Sequence, residues 1–344
     1  MWYPLLRPLL FALPPEAAHS LALSGLRALA PAIARLGALR SASPLSLQAM
    51  GLEFPNPVGV AAGLDKDATC IEGLAALGFG FIEVGTVTPK PQAGNPRPRL
   101  FRLHEDDALV NRMGFNNQGM DAMARSLART TYTGILGINI GKNRDTPVER
   151  AHQDYVACMR RLYPFASYFT VNLSSPNTPG LRTLQQGAGF AHLLDEIKGC
   201  QTQLATTHLK YVPVVVKVAP DLDANEVADL AGELLQHEID GVIATNTTTA
   251  REGLRSAASK EAGGLSGRPL MSPSTAVVAQ LHERLQGRVT IIGSGGIFSG
   301  ADACAKQAAG ARLVQLYTGL IYRGPGLIRE VQAALTAQAE QVRH

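Results

Sequence analysis

A short polar segment that directly follows an apolar run is the part of this sequence best suited to chemistry. The run YFTVNL at residues 168–173 is β-branched and aromatic, which predicts a buried strand. The segment SSPNTPG after it is too polar and too rich in proline to continue that strand. Neutral hydrogen-bonding side chains cluster here, at Asn172, Ser174, Ser175, Asn177 and Thr178. Taken alone, the segment fits either a binding site or an ordinary Asn/Pro/Ser turn.

The elements that would position this segment are eight apolar runs alternating with helical patterns. The runs predict strands at residues 58–62, 81–85, 135–140, 168–173, 214–218, 241–245, 289–293 and 313–317. The helical patterns lie near residues 68–77, 118–129, 147–163, 188–205, 224–237, 273–285, 300–309 and 325–339. Short strands that are apolar on both faces predict an α/β fold, a (β/α)₈ TIM barrel. No G-x-G-x-x-G pattern follows the first strand, which disfavours an open dinucleotide-binding sheet. Residues 101–111 predict a hairpin inserted after the second strand.

Polar residues follow all eight predicted strands, at the end where a barrel of this kind carries its reactive face. Glycine-rich turns at residues 293–296 and 318–319 would present backbone N–H groups to a phosphate. Four asparagines predict a planar ligand with alternating donors and acceptors, such as a pyrimidine: Asn111, Asn172, Asn177 and Asn246. Lys66 is placed to pair with a carboxylate on that ligand.

Lys217, within the fifth predicted strand, has two interpretations. It could face a ring oxygen or N1 of a flavin, which becomes negative on reduction. It could equally be the Schiff-base lysine of an aldolase-like barrel, because burial in that strand would lower its pKa. The residues alone leave both open.

Composition excludes several classes of protein. The chain has 344 residues and a net charge of +4, of which the first forty residues contribute +3, so the main body is near neutral and does not suit nucleic acid. Four scattered cysteines predict reduced thiols in a cytosolic-facing protein, and no spacing suggests a metal site: Cys70, Cys158, Cys200 and Cys304.

The N-terminal forty residues predict short helices rather than a membrane span, because prolines interrupt every apolar stretch. The helices are expected at about residues 5–13 and 16–30, with a third after Pro31 and a linker at residues 41–46. Apolar helices fringed with arginine suit an anionic membrane surface, but they suit a helical cap on the main domain equally well.

Nine motifs resemble, in order and spacing, those of the quinone-linked (class 2) dihydroorotate dehydrogenases. They are AAGLDKD, EVGTVTPKPQAGNPRPRLFRL, NRMGFNN, GINIGKN, NLSSPNTPGLR, VVVKVAPDL, GVIATNTT, GGLSGRPL and GSGGI. The resemblance covers essentially the whole chain, and the first forty residues are similar to the membrane-associating extension of that class. Ser175 stands where the soluble class 1 enzymes carry a cysteine, which also favours class 2.

The resemblance implies oxidation of dihydroorotate to orotate in pyrimidine biosynthesis, with FMN as the bound flavin and a membrane quinone as the final acceptor. Ser175 would remove a proton from C5 while hydride passes from C6 to the flavin, with Thr178 and a water under Phe115 as the proton outlet. The implied substrate-binding residues are Lys66, Asn111, Arg112, Met113, Gly114, Phe115, Asn172, Asn177, Asn246 and Thr247. The implied FMN-binding residues are Ala62, Gly63, Leu64, Asp65, Lys66, Thr86, Asn139, Asn172, Lys217, Thr245, Gly267, Gly296, Tyr317 and Thr318.

By the same likeness, His19, Arg102 and Tyr317 would form a quinone pocket between the N-terminal helices and the flavin edge, although a solvated helix histidine is what the residues alone favour for His19. The implied organisation is a helical extension, residues 1–40, and a catalytic barrel, residues 41–344. The protein is expected to be a monomer without metal or nucleic acid, held peripherally at the cytoplasmic face of the cell membrane. Two alternatives are a flavin-free, phosphate-binding aldolase or isomerase that uses Lys217, and a non-catalytic membrane adaptor.

Overall fold

A computed structural model describes residues 3–38 and 45–343. The strands, in chain order, are β1 Leu47–Ala49, β2 Leu52–Phe54, β3 Val58–Val60, β4 Phe81–Val87, β5 Leu100–Leu103, β6 Ala108–Asn111, β7 Ile135–Ile140, β8 Tyr168–Asn172, β9 Val214–Val218, β10 Gly241–Ala244, β11 Gly264–Gly267, β12 Thr290–Ser294 and β13 Leu313–Leu316. The α-helices are α1 Tyr3–Ala12, α2 Pro15–Ala38, α3 Ile71–Ala76, α4 Met120–Leu127, α5 Ala151–Leu162, α6 Gly187–His208, α7 Ala224–Gln236, α8 Met271–Leu285, α9 Gly300–Ala308, α10 Thr318–Arg323 and α11 Gly326–Arg343.

Eight parallel strands close into a barrel in the order β10-β12-β13-β3-β4-β7-β8-β9. They are the eight strands that the apolar runs predict, so the expected (β/α)₈ barrel is confirmed. All seven residues of β4 and all five of β9 are buried, since the outer faces lie under helices and the inner faces fill the barrel. Burial on both faces explains why these strands read as continuous apolar runs.

The N-terminal end of the barrel is closed by the antiparallel hairpin β1–β2. Phe54 at its end packs edge-on against Phe81 of β4, with ring centroids 5.3 Å apart. Phe81 in turn packs against Tyr168 of β8 at 6.5 Å. This aromatic floor leaves the C-terminal ends of the strands as the open face.

A second, three-stranded antiparallel sheet of β5, β6 and β11 stands beside the open face. The predicted hairpin at residues 101–111 is confirmed as β5 and β6, joined by a 3₁₀ turn at His104–Asp106. The third strand, β11, is not predicted by the sequence, because its four residues GLSG include two glycines and carry no strand pattern.

Of the two N-terminal helices, α2 packs against β5 of this sheet and against α3, and α1 packs against α2 and α10. The predicted third helix after Pro31 is wrong, because α2 continues through Pro31 to Ala38. A proline inside a helix costs roughly 3 kcal/mol, and the packing of α2 offsets that penalty. Leu26 lies so close to α3 that a Cβ at Gly73 would meet its Cγ at 2.9 Å. Among the described residues no helix is long and apolar enough to cross a membrane.

The predicted linker at residues 41–46 and the boundary near residue 40 fall mostly in residues 39–44, outside the described part of the chain. The division into residues 1–40 and 41–344 therefore stays a prediction.

Candidate active site

A cavity of about 1250 Å³, partly open to solvent, lies at the C-terminal ends of the barrel strands. Its walls come from the loops after the strands, from β11 of the small sheet and from the start of α2. Most of the predicted site residues line it: His19, Ala62, Gly63, Lys66, Thr86, Asn111, Met113, Gly114, Phe115, Asn172, Ser175, Asn177, Lys217, Thr245, Asn246, Thr247, Gly267, Gly296, Tyr317 and Thr318.

One flank of the cavity consists of glycine-rich backbone. A Cβ at Gly296 would lie 2.3 Å from Met271 Cα, and one at Gly319 would lie 2.0 Å from the carbonyl oxygen of Ile297. Only glycine permits this close approach of three chain segments. Within residues 45–343, the backbone N–H of Gly296 donates to no acceptor of the chain. The flank therefore offers a backbone hydrogen-bond donor to an anion, and no charged side chain lines it. The sequence predicts this kind of anion site.

Lys217 lies at the centre of the barrel mouth, on β9. It is 6% exposed, and its Nζ makes no hydrogen bond or ion pair with any other described residue. Burial lowers its pKa, and the charge of Glu83 opposes that effect. A buried cation aimed into a cavity is costly without a ligand, so Lys217 is a group that a bound molecule would satisfy.

Glu83 supports the floor beneath Lys217. Its Oε1 accepts a hydrogen bond from Asn139 Nδ2 at 2.8 Å. Its Oε2 accepts three more, from Tyr168 Oη at 2.9 Å, Thr170 Oγ1 at 3.1 Å and Gln315 Nε2 at 2.8 Å. Four donors from three other strands therefore hold one buried carboxylate in a fixed position.

The asparagines form two linked groups rather than four separate contacts. Asn172 Nδ2 donates to Thr86 Oγ1 at 3.0 Å and to Asn139 Oδ1 at 3.2 Å, and Asn246 Nδ2 donates to Asn172 Oδ1 at 3.3 Å. In the second group, Asn177 Nδ2 donates to Asn111 Oδ1 at 3.3 Å. These bonds orient carboxamides that line the same cavity, where they could bind a planar ring.

Ser175 lies in the loop after β8 and is 6% exposed. Its Oγ accepts the backbone N–H of Asn177 at 3.2 Å, and no imidazole or carboxylate of the described residues bonds to it. Ser175 is therefore held in place, but it lacks the adjacent base of a hydrolase triad.

Lys66 lies at the rim, in the loop after β3, and its Nζ donates to the carbonyl oxygen of Gly63 at 2.9 Å. Burial, and then the charge of Arg99, lower the pKa of Lys66 to about 8. Lys66 is thus charged at neutral pH and can hold a carboxylate.

His19 reaches the cavity from α2, so the structure does not support a solvated histidine. Burial, and then the charge of Lys66, lower the pKa of His19 to about 4, which keeps the ring neutral near pH 7. Tyr317 lines the same edge, and its hydroxyl donates to the Gly63 carbonyl oxygen at 3.3 Å.

Six predicted site residues do not line the cavity: Leu64, Asp65, Arg102, Arg112, Asn139 and Thr178. Asp65 accepts the backbone N–H groups of Thr69 and Cys70 before α3, and Asn139 is buried behind Asn172. Arg102 holds the carbonyl oxygens at the C-terminal end of α1, including that of Phe11 at 3.1 Å. These positions support the wall rather than face the ligand space.

Arg112 turns away to pair with Glu261 at 2.6 Å. Leu64 belongs to the core, and Thr178 is 5% exposed beside the cavity wall.

Sequence reasoning missed several lining or supporting residues, among them Glu16, Glu83, Ser266 and Gln315. A polar residue inside an otherwise apolar strand was the available signal for Glu83 and Gln315. Glu16 carried no such signal, because only the packing of α2 brings it to the cavity.

The fold and the site together define a class of protein. It is an eight-stranded barrel in which a polar cavity, flanked by glycine-rich backbone, lies at the C-terminal ends of the strands. The sequence matches the dihydroorotate dehydrogenase family over residues 44–338. It is 58% identical over 335 residues to the dihydroorotate dehydrogenase (quinone) of Methylococcus capsulatus, covering 97% of this chain and 98% of that protein. It is 57% identical to the protein of that name from Paraburkholderia phymatum, with 98% of each chain covered.

A crystal structure of the Eimeria tenella dihydroorotate dehydrogenase in complex with ferulenol superposes with a TM-score of 0.87 and 41% identity, covering 95% of this chain and 92% of that one. This chain belongs to the dihydroorotate dehydrogenase family, a family of flavin-dependent oxidoreductases of pyrimidine biosynthesis.

Proposed function

We propose that this protein oxidises (S)-dihydroorotate to orotate, with FMN as the bound hydride acceptor and a membrane quinone as the terminal electron acceptor. The observation that carries the proposal is that one cavity is lined by Ser175, by Lys217 and by His19 of α2. The same cavity thus holds Ser175 for proton removal and Lys217 as a cation for the reduced flavin. His19 adds an edge formed by the N-terminal helices. Several relatives that are 53–58% identical over nearly the whole chain carry the name dihydroorotate dehydrogenase (quinone).

The residues present fit FMN. The glycine-rich flank at Gly296 and Gly319 has the close backbone packing that a phosphate cradle requires. Lys217, buried and without a bond to another described side chain, would face the ring edge that becomes negative on reduction. Thr86 and Asn172 line the same wall and offer hydrogen bonds to the ring. When bound, FMN would supply the hydride-accepting centre that no amino-acid side chain provides.

Dihydroorotate would bind between the two asparagine groups. Asn172 and Asn246 on one side, and Asn111 and Asn177 on the other, are each held by hydrogen bonds that fix their planes. The ammonium of Lys66 would hold the substrate carboxylate at the rim. Such fixed partners would orient the ring so that C5 faces Ser175.

Ser175 would remove the C5 proton as a general base. A serine hydroxyl is a weak base near pH 7, so the proton must pass onward. Thr178, 5% exposed, with a water beneath Phe115, is the outlet that we propose. The backbone N–H of Asn177 donates to Ser175 Oγ and would stabilise the oxygen when it loses its own proton.

The quinone would approach along α2, between His19 and Tyr317. The two N-terminal helices and the turn between them expose six leucines: Leu5, Leu6, Leu9, Leu13, Leu21 and Leu29. Such a surface suits peripheral binding to a bilayer. We propose that the protein acts as a monomer at the cytoplasmic face of the cell membrane.

A test is the absorbance spectrum of the purified protein, followed by quinone reduction with dihydroorotate. A yellow protein with dihydroorotate-dependent turnover is expected, and turnover should be lost in Ser175→Ala. A colourless protein that FMN cannot reconstitute would favour an aldolase or isomerase that uses Lys217. A flavoprotein without turnover would favour a membrane adaptor.

A further inference from the structure

A lysine is buried behind the glycine-rich flank of the cavity. Lys306 lies on α9, is fully buried, and donates from Nζ to Ser274 Oγ of α8. Its Nζ also lies 3.4 Å from the carbonyl oxygen of Met271. No carboxylate of the described chain forms an ion pair with it, and Asp302 on the same helix instead accepts the backbone N–H of Phe298. Burial lowers the pKa of Lys306 to about 7, and the charge of Asp302 opposes that effect. The amine is therefore only partly charged near neutral pH, and an anion bound nearby would favour the ammonium form.

The position of Lys306 connects it to the cavity. Its side-chain stem packs against the end of β12, where a Cβ at Gly293 would lie 3.3 Å from Lys306 Cβ. Ser274 Oγ accepts the hydrogen bond from Lys306, and its own hydroxyl proton is within reach of the carbonyl oxygens of Leu270 at 2.6 Å, Gly295 at 3.1 Å and Met271 at 3.2 Å. Gly295 and Gly296 line the flank. The ammonium is therefore linked to the backbone of this turn through one hydroxyl group.

The flank itself carries no charge. The residues that line it are neutral: Ser266, Gly267, Leu270, Ser294, Gly295, Gly296, Ile297, Thr318 and Gly319. Among the described lining residues, Glu16 is the one acid, and it lies on α2 beside His19. A positive charge behind neutral backbone donors strengthens their field in a medium of low dielectric constant, where solvent and salt screen it little.

We propose that Lys306, acting through Ser274, is a positioning residue for the phosphate group of FMN. The hydrogen bond to Ser274 would fix the turn at Gly295 and Gly296, while the buried charge would provide the positive potential that the flank lacks. This inference rests on the proposed flavin site, but it concerns only the phosphate and not the ring. It therefore predicts that a change at Lys306 alters the affinity for FMN but not the affinity for riboflavin, which has the same ring system and no phosphate.

The test uses the full-length protein after removal of its flavin, titrated with FMN and with riboflavin and followed by quenching of flavin fluorescence. Lys306→Met retains the apolar stem and removes the charge. We expect the Kd for FMN to rise about tenfold, which corresponds to about 1.4 kcal/mol, while the Kd for riboflavin stays the same. Ser274→Ala retains the ammonium and removes its link to the turn, and it should weaken FMN binding selectively by about threefold.

Lys142→Met is the matched control. Lys142 is also buried, but its Nζ donates to the carbonyl oxygens of Asn143 and Thr146 in the loop after β7. Its replacement should leave the ratio of the two Kd values unchanged. Equal weakening of both flavins in Lys306→Met, or no weakening of either, would overturn the role of Lys306.

If Lys306→Met does not fold, Ser274→Ala decides, because it leaves the buried charge in place. An unchanged Kd ratio in that variant would overturn the proposal. Wild-type protein that binds neither flavin would instead contradict the proposed function.

Discussion

Glu16 of α2 pairs with Arg99, which directly precedes β5, at 2.9 Å between Oε1 and Nε. Arg99 is 6% exposed and also donates to the carbonyl oxygens of Ala93 at 2.6 Å and Asn95 at 3.0 Å. A second arginine, Arg97, meets the other oxygen of Glu16 at 2.9 Å, but it is exposed. The Glu16–Arg99 pair joins the N-terminal helices to the barrel insertion one helical turn from His19.

Replacement of Glu16 should therefore disturb the proposed quinone side of the cavity more than the proposed substrate side. In Glu16→Gln the buried guanidinium of Arg99 loses its anionic partner, and we expect a loss of about 1–3 kcal/mol in the free energy of unfolding. Quinone reduction should slow while flavin reduction by dihydroorotate persists. Chemical denaturation and the two half-reactions measure these effects. Glu53→Gln, at an exposed position of β2, is the control. Equal behaviour of the two variants would refute the linking role.

Lys66 should impose an upper pH limit on substrate binding. Its pKa, lowered to about 8, leaves it charged below that pH and neutral above it. Because only the ammonium can pair with the substrate carboxylate, kcat/KM for dihydroorotate should fall as pH rises through about 8. In Lys66→Arg, a guanidinium stays charged, so the remaining activity should not fall in that range. A wild-type profile that stays flat to pH 10, about two units above the shifted pKa, would argue against this role.

Ser175→Ala should abolish most of the substrate oxidation without loss of the flavin. Loss of a general base lowers turnover by about 10²- to 10⁴-fold. Since Ser175 Oγ bonds only to the backbone N–H of Asn177 among the described groups, folding and flavin content should be retained. Rapid mixing with dihydroorotate measures the rate, and the absorbance spectrum provides the control. Near-wild-type flavin reduction in this variant would exclude Ser175 as the base.

Glu83→Gln should destabilise the barrel from its centre. The carboxylate accepts four hydrogen bonds, and a carboxamide would turn an NH₂ group towards at least one donor. We expect a loss of about 1–3 kcal/mol, because a buried donor is left unsatisfied. The measurement is the shift in the midpoint of urea denaturation between wild type and variant, at an unchanged dependence of the unfolding free energy on urea concentration. An unchanged midpoint would show that the network adapts to the loss.

Removal of residues 1–13 should separate membrane binding from chemistry. The deletion takes away α1 and its exposed Leu5 and Leu9, but it leaves α2 with Glu16 and His19 in place. Sedimentation with anionic vesicles should decrease, while the rate of flavin reduction by dihydroorotate should stay close to that of the full chain. Unchanged vesicle binding would contradict the membrane role of α1.

The barrel was predictable because each of its strands is a local apolar run, and the polar strand ends follow directly from that arrangement. Elements that depend on distant contacts were not predictable. The strand β11 forms only because β6 is available to pair with it, and Pro31 stays helical because α2 packs on α3. Similarly, Asn139 lies behind the cavity because Asn172 and Glu83 take its hydrogen bonds, which no spacing in the sequence indicates.

The most direct test of the central claim is an anaerobic experiment on the purified full-length protein. Dihydroorotate is added first and a short-chain quinone second, while the absorbance of the bound flavin is followed. The proposed function predicts that the oxidised flavin band bleaches with dihydroorotate alone and returns when quinone is added. A flavin band that dihydroorotate does not bleach, or a bleached band that quinone does not restore, would contradict it.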